Sequence, residues 1–397
     1  MKAYLEKENC CGCTACASIC PTKAITMEVD EKGFMYPSTN ESICVNCSLC
    51  RKVCAFHELD KKIVEEAKPK FYAMQHKDIN IRMSSSSGGA FTALSDYILI
   101  NNGVIYGACF DEKFVVRHIR VETFEEREAL KGSKYVQSDM RECLSKVKED
   151  LINERLVLFV GTPCQVAGVK SFLKREYKNL ILVDFACHGT PSPKIWKDYI
   201  AYLEEGCGDK VKGVNFRNKE NGWKVSTLEV KFEKTLYTKD KYSDGYYNLF
   251  LKNYIIRDAC HHCPYTNFAH PADITIADFW GIETKKPHLD DDTGTSLLII
   301  NSLIGFDIFS KIKNDFIWEE AKADECLQAI FRRPSYRPKQ KDQFWNEYAQ
   351  YGLVKVIDTY GKTNKLDKIK FNIILPIIRK MGLYNIVLKI FSIIHRR

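Results

Sequence analysis

Two runs of cysteine residues occupy the first fifty-four positions of the chain. Both have the spacing C-x2-C-x2-C-x3-C, the first at Cys10, Cys13, Cys16 and Cys20, the second at Cys44, Cys47, Cys50 and Cys54. Thiolates at this spacing are typical ligands of iron–sulfur clusters, because soft sulfur suits iron in a tetrahedral site. Zinc or disulfides are the alternative, but zinc sites use cysteine pairs separated by a loop. The doubled run therefore predicts two iron–sulfur clusters.

The doubled run resembles bacterial-type ferredoxins that carry two 4Fe-4S clusters. In that pattern three closely spaced thiols surround one cube, and the fourth thiol comes from the other run. One predicted site therefore uses Cys54 with the first run, and the other uses Cys20 with the second run. Cys11 lies off the spacing and is interpreted as a non-ligand. Ala55 stands where the pattern usually has a proline.

Four further cysteines stand where loops are predicted. Cys164 follows a short apolar run at 156–160, and Cys187 follows another at 180–185; each run is typical of a strand buried on both faces. A helix predicted at 166–173 joins the two strands, so the strands should be parallel and both cysteines should emerge at the same sheet edge. Ahead of a predicted strand at 273–277, Cys260 and Cys263 form a C-x2-C pair. Together the four cysteines could ligate a third 4Fe-4S cluster.

The spacing of these four cysteines leaves other interpretations open. A lone buried cysteine is usually a small apolar side chain. The C-x2-C pair could hold zinc together with His261 or His262, or it could be a redox-active dithiol. Four cysteines without companions at ligand spacing are interpreted as structural: Cys109, Cys143, Cys207 and Cys326.

The elements around these cysteines follow from local patterns. Alternation at 25–29 and again from Phe34, with Gly33 between, predicts a β-hairpin. Charged residues at 57–70 predict a linker. Further strands are predicted at 104–110, 114–121, 225–232 and 297–301. A helix is predicted to begin at Ala90, with the serines before it as N-caps.

The predicted clusters imply a second cofactor. An iron–sulfur cube passes one electron at a time, whereas most metabolic donors and acceptors move electrons in pairs, so a flavin is the usual converter. Ser87, Gly88 and Gly89 form a loop before a helix, where free N–H groups can face a phosphate; a plain capped loop is the alternative. The chain has no G-x-G-x-x-G after a strand, which argues against a Rossmann nucleotide site.

Composition sets broader limits. The chain has 397 residues, 45% apolar and 28% charged, which is typical of a soluble protein of two or three domains. Its start has no apolar run, and its seventeen cysteines do not suggest a secreted disulfide scaffold, so a cytoplasmic location is expected. Scattered basic residues and a net charge of +8 argue against a nucleic-acid partner. In the basic, apolar tail at 365–397 packing helices are expected, with an interfacial membrane helix as the alternative.

Several motifs in combination resemble the coenzyme F420 (8-hydroxy-5-deazaflavin) hydrogenase/dehydrogenase beta-subunit family. The resemblance covers most of the chain, from about Cys10 to about Asn301. The matching stretches are the SSGG motif at 86–89, KGSKYVQS at 131–138, GTPCQ at 161–165, CHG at 187–189, NFR at 215–217, the C-x2-C pair, and ADITIADFWG at 272–281. An N-terminal two-cluster ferredoxin is a common fusion in that family.

This resemblance implies an FAD in the middle domain with a 4Fe-4S cluster beside it. Carried over by motif, the ligands of that cluster are Cys164, Cys187, Cys260 and Cys263. The implied FAD contacts are Ser86, Ser87, Gly88, Gly89, Lys131, Gly132, Ser133, Lys134, Tyr135, Gln137, Ser138 and Thr162. Of these, Lys131 and Lys134 suit a pyrophosphate, while Tyr135 and Gln137 could line the ring. Surface charge and core packing are the alternative roles of the lysines and Tyr135.

The predicted fold class is mixed α/β (α+β). It consists of a bacterial ferredoxin-like module, an α/β flavin-binding domain and a helical C-terminal tail. The predicted boundaries are 1–58 for the ferredoxin domain, 59–70 for the linker, 71–150 and 151–335 for the two parts of the flavin domain, and 336–397 for the basic tail.

The predicted function is that of an oxidoreductase that moves electrons between 4Fe-4S clusters and a two-electron substrate through FAD. The flavin would carry out the hydride step, so no side chain is predicted as a nucleophile. The expected partners are a ferredoxin-like electron donor or acceptor and a deazaflavin or other small molecule, with peripheral membrane contact through the tail as the further alternative. The alternative function is an electron-relay subunit of a larger redox complex, with no substrate of its own.

Overall fold

The computed structural model describes residues 6–56 and 68–363. Its strands, in chain order, are β1 Ile25–Val29, β2 Met35–Thr39, β3 Lys70–His76, β4 Val104–Phe110, β5 Val116–Val121, β6 Val157–Gly161, β7 Leu180–Phe185, β8 Val211–Asn218, β9 Thr227–Phe232, β10 Leu236–Asp240, β11 Ile274–Asp278, β12 Ser296–Ile300 and β13 Phe316–Ala321. Its α-helices are α1 Ala15–Ser18, α2 Leu49–Lys52, α3 Ile79–Ser84, α4 Ala90–Ile100, α5 Phe124–Arg127, α6 Cys143–Ile152, α7 Pro163–Leu173, α8 Pro193–Cys207, α9 Gly245–Leu251, α10 Ile282–Lys285, α11 Leu303–Ile312 and α12 Lys341–Tyr360.

A mixed eight-stranded sheet forms the body, in the order β13-β3-β12-β11-β7-β6-β4-β5. The inner strands β4, β6, β7 and β11 run parallel to one another, and the outer pairings are antiparallel. The continuous apolar runs of β6 and β7 are buried because helices cover both sheet faces: α4 and α11 pack on one, α6 and α7 on the other. The predicted strand–helix–strand unit with parallel strands is confirmed.

A smaller antiparallel sheet, β10-β9-β8, lies beside the body and shares an aromatic core with α8, α9 and α12. Gly352 (φ +77°) interrupts the helical backbone of α12. Among residues 6–56 and 68–363, no helix combines the length and the apolar character needed to cross a bilayer. Most of the predicted linker and of the predicted tail, including its proposed membrane contact, lies outside the described residues.

The N-terminal hairpin pairs β1 with β2, with Ile25 opposite Thr39. Gly33, at φ +85°, occupies the turn as predicted. The segment does not stand apart from the body. Ala15 and Val53 join the core beneath α6 and α7, and Phe34 joins the aromatic core around α8. Local composition predicts a module, whereas the packing makes residues 6–56 part of one continuous structure.

Most predicted strands lie within two residues of their observed bounds, and α4 begins at Ala90 as predicted. The predicted serine N-cap is wrong: Gly89 is the N-cap at φ +95°, with no side-chain cap. The Ser87 hydroxyl instead donates to the carbonyl of Thr295, 3.0 Å away. The helix predicted at 166–173 begins earlier, at Pro163, a residue well suited to a first helical turn. The mixed α/β fold with a ferredoxin-like N-terminal region and a C-terminal helix is confirmed.

Candidate redox site

The first predicted cluster site is brought together at the buried side of the N-terminal segment. Electrostatic interactions join Cys16 to Cys10, Cys13 and Cys54, which are the other three thiols of that set. Burial raises the pKa of Cys10 and takes that of Cys16 well above its usual value. The contribution of Cys54 comes from the far end of α2, as the exchanged pattern predicts. These four cysteines are called the inner set below.

The second predicted site lies at the exposed end of the same segment. Its four thiols line one cavity, together with Pro21 and Val45: Cys20, Cys44, Cys47 and Cys50. Cys47 is exposed and the other three cysteines are half-buried. These four are called the outer set. In both sets the fourth thiol comes from the other run.

The four later cysteines also converge. Cys164 lies in the first turn of α7, after β6, and Cys187 follows the neighbouring parallel strand β7. Electrostatic interactions join Cys187 to Cys164, Cys260 and Cys263. Burial raises the pKa of Cys187 well above its usual value and that of Cys263 to about 12. The structure thus forms a third group of four thiols, called the middle set, at the carboxyl ends of the parallel strands.

The histidines beside the C-x2-C pair do not face the middle set. His261 uses one ring nitrogen on the carbonyl of Ser335 (Nδ1 to O, 2.9 Å) and the other on Lys341 (Nε2 to Nζ, 2.7 Å). His262 is exposed. A zinc site built from this pair and His261 is therefore not supported by the geometry.

No group of three or more His, Cys, Asp or Glu residues within 6–56 and 68–363 is arranged to hold a single metal ion. The cysteines of a cube each bind a different iron atom, so their sulfurs stand farther apart than the ligands of one ion. Four convergent thiols without a carboxylate or imidazole among them suit such a cube.

The inner and middle sets meet at one junction. The Cys11 thiol hydrogen-bonds both to Cys13 of the inner set and to Cys164 of the middle set. Helix α7 approaches closely here, because a Cβ added to Gly168 would lie 2.9 Å from the Cys13 sulfur. Cys11, interpreted from the sequence as a non-ligand, therefore lies between two groups of predicted ligands.

Arg257 crosses the same junction and was not predicted. Its side chain is buried, with 1% of the residue exposed. It donates to the carbonyl of Cys10 (2.5 Å), the carbonyl of Met35 (2.9 Å) and Oε1 of Gln137 (3.0 Å). Burial opposes its charge, yet the nearby thiols, Cys10 foremost, and Tyr36 raise its pKa. No motif marks it, since Cys10 lies 247 positions away in the sequence.

The loop that carries the C-x2-C pair is held by a buried ion network. Lys341 of α12 contacts Asp258 (Nζ to Oδ1, 2.9 Å), and Lys32 of the N-terminal hairpin contacts the same carboxylate (Nζ to Oδ2, 3.3 Å). Burial works to raise the pKa of Asp258, but the two lysines lower it to about 2. The hairpin, the C-x2-C loop and α12 are thereby tied to one another.

The residues implied as FAD contacts fall into two places. The serine–glycine loop and the 131–134 loop meet where Ser86 accepts from Ser133 (Oγ to N, 2.9 Å). Gly88 is tightly packed: an added Cβ would lie 2.3 Å from the Met74 carbonyl, and its N–H already donates to Ser296 Oγ. Gly132, at φ +79°, faces open space. Of the two glycines, only Gly132 is unobstructed.

The two lysines of this loop differ in their surroundings. Lys131 pairs with Glu128 (3.0 Å). Lys134 donates to the carbonyls of Ala129 and Lys131, and burial lowers its pKa to about 8. An ammonium ion that lacks a carboxylate at this location suits a phosphate oxygen, so the loop fits a phosphate-bearing cofactor.

Tyr135 begins a polar and aromatic cluster beside the loop. Its ring packs against Phe250 (centroids 5.1 Å apart). Its hydroxyl accepts from Arg217 (3.4 Å), and Arg217 pairs with Asp278 (2.7 Å). The ring of Phe250 also contacts His188, next to Cys187 (5.0 Å). Two ring contacts therefore connect the middle set to Tyr135.

The remaining three implied contacts lie at the junction instead. Gln137 donates to the carbonyl of Cys11 (3.1 Å) and accepts from Arg257. Ser138 hydrogen-bonds His118 and accepts from Gln165. The Thr162 hydroxyl lies 3.2 Å from the Cys164 sulfur. Their role in binding FAD stays a prediction, and their observed contacts are with the cysteine junction and its supports.

Comparison with known families agrees with this arrangement. Residues 9–57 match a 4Fe-4S dicluster domain. Residues 154–325 match the C terminus of the coenzyme F420 hydrogenase/dehydrogenase beta subunit. The chain belongs to the coenzyme F420 hydrogenase/dehydrogenase beta-subunit family. The predicted resemblance is thereby confirmed, and all four cysteines of the middle set lie within the stretch that matches the family.

One solved structure similar to this beta-subunit family member is a chain of the F420-reducing NiFe hydrogenase complex from Methanosarcina barkeri. The sequences are 18% identical, the match covers 73% of this chain and 90% of that chain, and the TM-score is 0.43. A comparison with curated proteins finds no match.

Proposed function

We propose that the chain is a flavin- and iron–sulfur-dependent oxidoreductase. It would move electrons between its 4Fe-4S clusters and a small two-electron substrate through FAD. The family membership supports the redox class. The substrate proposed first is the deazaflavin coenzyme F420, because the family takes its name from it.

One observation carries the proposal: Cys11 hydrogen-bonds a thiol of the inner set and a thiol of the middle set at the same time. The three cysteine sets therefore follow one another from an exposed end to a buried end. Bound clusters would supply one-electron transfer, and FAD would supply the exchange between single electrons and hydride. The chain's own residues fix the order of the sets and exclude water from the inner ones.

The middle domain supplies the residues proposed for the flavin end. Lys131, Lys134 and the Ser86–Ser133 contact would bind the phosphates, and Tyr135 would lie beside the ring. The two ring contacts from His188 through Phe250 keep this loop close to the middle set. Arg217 and Asp278 hold the Tyr135 hydroxyl from the other side, which restricts its ring to one orientation.

The outer set is the proposed contact for a ferredoxin-like partner. Cys47 is exposed, and Val45 and Ile43 beside it are 62% and 47% exposed. A one-electron partner needs close approach to a cluster, which the exposed end permits and the buried sets do not. No contact in this region ties the set to the body of the molecule as Arg257 ties the inner set.

Anaerobic purification followed by iron counting and flavin extraction tests the proposal. We expect about twelve iron atoms and one FAD per chain, because three sets of four thiols each suit one cube. The bound flavin should bleach with reduced deazaflavin, NAD(P)H or reduced ferredoxin. Fully iron-loaded protein without flavin would reject the oxidoreductase. Protein that exchanges electrons with a larger enzyme, yet turns over no small molecule by itself, would favour the relay subunit.

A further inference from the structure

Arg257 is a buried cation without a carboxylate partner. No Asp or Glu oxygen lies within ion-pair distance of its guanidinium among residues 6–56 and 68–363. The nearest carboxylate in sequence, Asp258, is already shared by Lys341 and Lys32. An isolated charge at 1% exposure is costly, so a buried guanidinium requires a counter-charge close by.

The groups that face Arg257 are thiols from two cysteine sets. Its Nη2 lies 3.6 Å from the Cys10 sulfur of the inner set. It also interacts electrostatically with Cys13 of the inner set and with Cys164 and Cys260 of the middle set. The rings of Tyr36 and Phe34 cover it, with the cation 4.0 and 5.4 Å from their centroids. Water is thereby excluded from the contact.

The side chain is fixed more firmly than charge alone requires. Three of its donors are held by the carbonyls of Cys10 and Met35 and by the amide oxygen of Gln137. A planar guanidinium can satisfy these acceptors and still present an N–H to sulfur, which a lysine ammonium could not reproduce. The hydrogen bonds thus aim the positive charge at Cys10.

We propose that Arg257 is the shared counter-charge of the inner and middle clusters, and that it raises the reduction potential of the inner cluster relative to the outer one. The inference rests on the proposed function, since it requires clusters at both sets. Cluster potentials depend on net charge, hydrogen bonds to sulfur and solvent exposure, and Arg257 supplies the first two in a water-excluded site. The outer set has no hydrogen bond from Arg257.

The test is a redox titration, followed by EPR, of the full chain loaded with iron. Arg257→Gln removes the charge; we expect the oxidised-to-reduced ratio of the inner cluster at a fixed potential to rise about tenfold, equivalent to about 59 mV for a one-electron couple. Arg257→Lys keeps the charge and should change that ratio less than about threefold on the same scale. The outer cluster of the same molecule should not move in either variant.

Arg127→Gln is the matched control, because Arg127 is equally buried but pairs with Asp96 (2.7 Å) away from the cysteine sets. It should leave both potentials unchanged. An iron-replete Arg257→Gln variant with an unchanged inner potential would overturn the inference, as would equal shifts of the inner and outer clusters. If Arg257→Gln does not retain iron, Arg257→Lys decides: a native-like potential supports the charge, and a tenfold shift overturns it.

Failure of the proposed function gives a different result. Native protein without a third cluster or without flavin would remove the middle-set part of the proposal before any variant is made. Native protein with all its cofactors and an unaltered potential in Arg257→Gln would remove only the role of Arg257.

Discussion

The outer and inner cysteine sets have the same spacing and opposite surroundings. The outer set lines an exposed cavity at the tip of the N-terminal segment, with Val45 open to solvent. The inner set is pressed against α7, where Gly168 admits Cys13, and a buried guanidinium faces Cys10. One motif can therefore hold an electron inlet and an internal junction, since the difference comes from elements far away in the sequence.

The largest effect is expected from Asp258→Asn, which acts on the inner side alone. It leaves Lys341 buried, at 1% exposure, without its carboxylate. We expect a loss of about 3 kcal/mol in the free energy of unfolding, measured by denaturant titration. Asp307→Asn breaks the exposed pair with Lys311 and should cost less than about 0.5 kcal/mol. Equal losses in both variants would contradict the asymmetry.

A pH effect of similar size is expected from His118, which supports the junction through Ser138. Burial lowers its pKa to about 4, below the unfolded value of 6.5. Between these values the unfolded chain binds more protons than the folded chain, so stability is lost as pH falls from about 6.5 towards 4.

The native protein should therefore lose about 2 kcal/mol more between pH 7 and 4.5 than His118→Asn loses, in urea titrations at each pH. His262→Asn, at an exposed position, should keep the native pH slope. A native slope in His118→Asn would show that His118 is already protonated in the folded state.

A smaller effect is expected where α7 meets the inner set. Gly168→Ala places a methyl group 2.8 Å from Cys13 Cβ, and overpacking of this kind costs about 1–3 kcal/mol, partly offset by better helix propensity. The EPR signal of the inner cluster should broaden while that of the outer cluster stays unchanged. Gly206→Ala in α8 meets no atom within 4 Å, so it should be neutral or stabilising. A broadened outer signal would contradict this prediction.

The smallest effect on stability is expected at the outer set. Val45→Ser should change the free energy of unfolding by less than about 0.5 kcal/mol, because the side chain is 62% exposed. It should nevertheless slow reduction by a ferredoxin-like partner, measured by stopped-flow spectroscopy. Val29→Ser, 67% exposed on the hairpin, is the matched control and should change neither quantity. Equal slowing in both variants would place the docking surface elsewhere.

Sequence reasoning located the chemistry better than its surroundings. The cysteine spacing predicted the two exchanged sets, and the two apolar runs predicted the parallel strands that bring Cys164 and Cys187 to one edge. Such features depend on neighbours within a few residues. Arg257 and Lys341 could not be predicted, because their partners lie on average hundreds of positions away and depend on tertiary packing. The serine N-cap failed for the same reason, since Ser87 bonds to Thr295 instead.

The docking of the hairpin turn also constrains how the protein matures. The carbonyl of Lys32 accepts from Ser192, that of Glu31 accepts from Lys194, and the Lys32 side chain meets Asp258, the neighbour of Arg257. On the ribosome the cysteine-bearing segment emerges first, while every one of these partners is still to be translated. We expect the outer set to be able to take up iron early, whereas the inner set becomes enclosed only after α12 has left the exit tunnel.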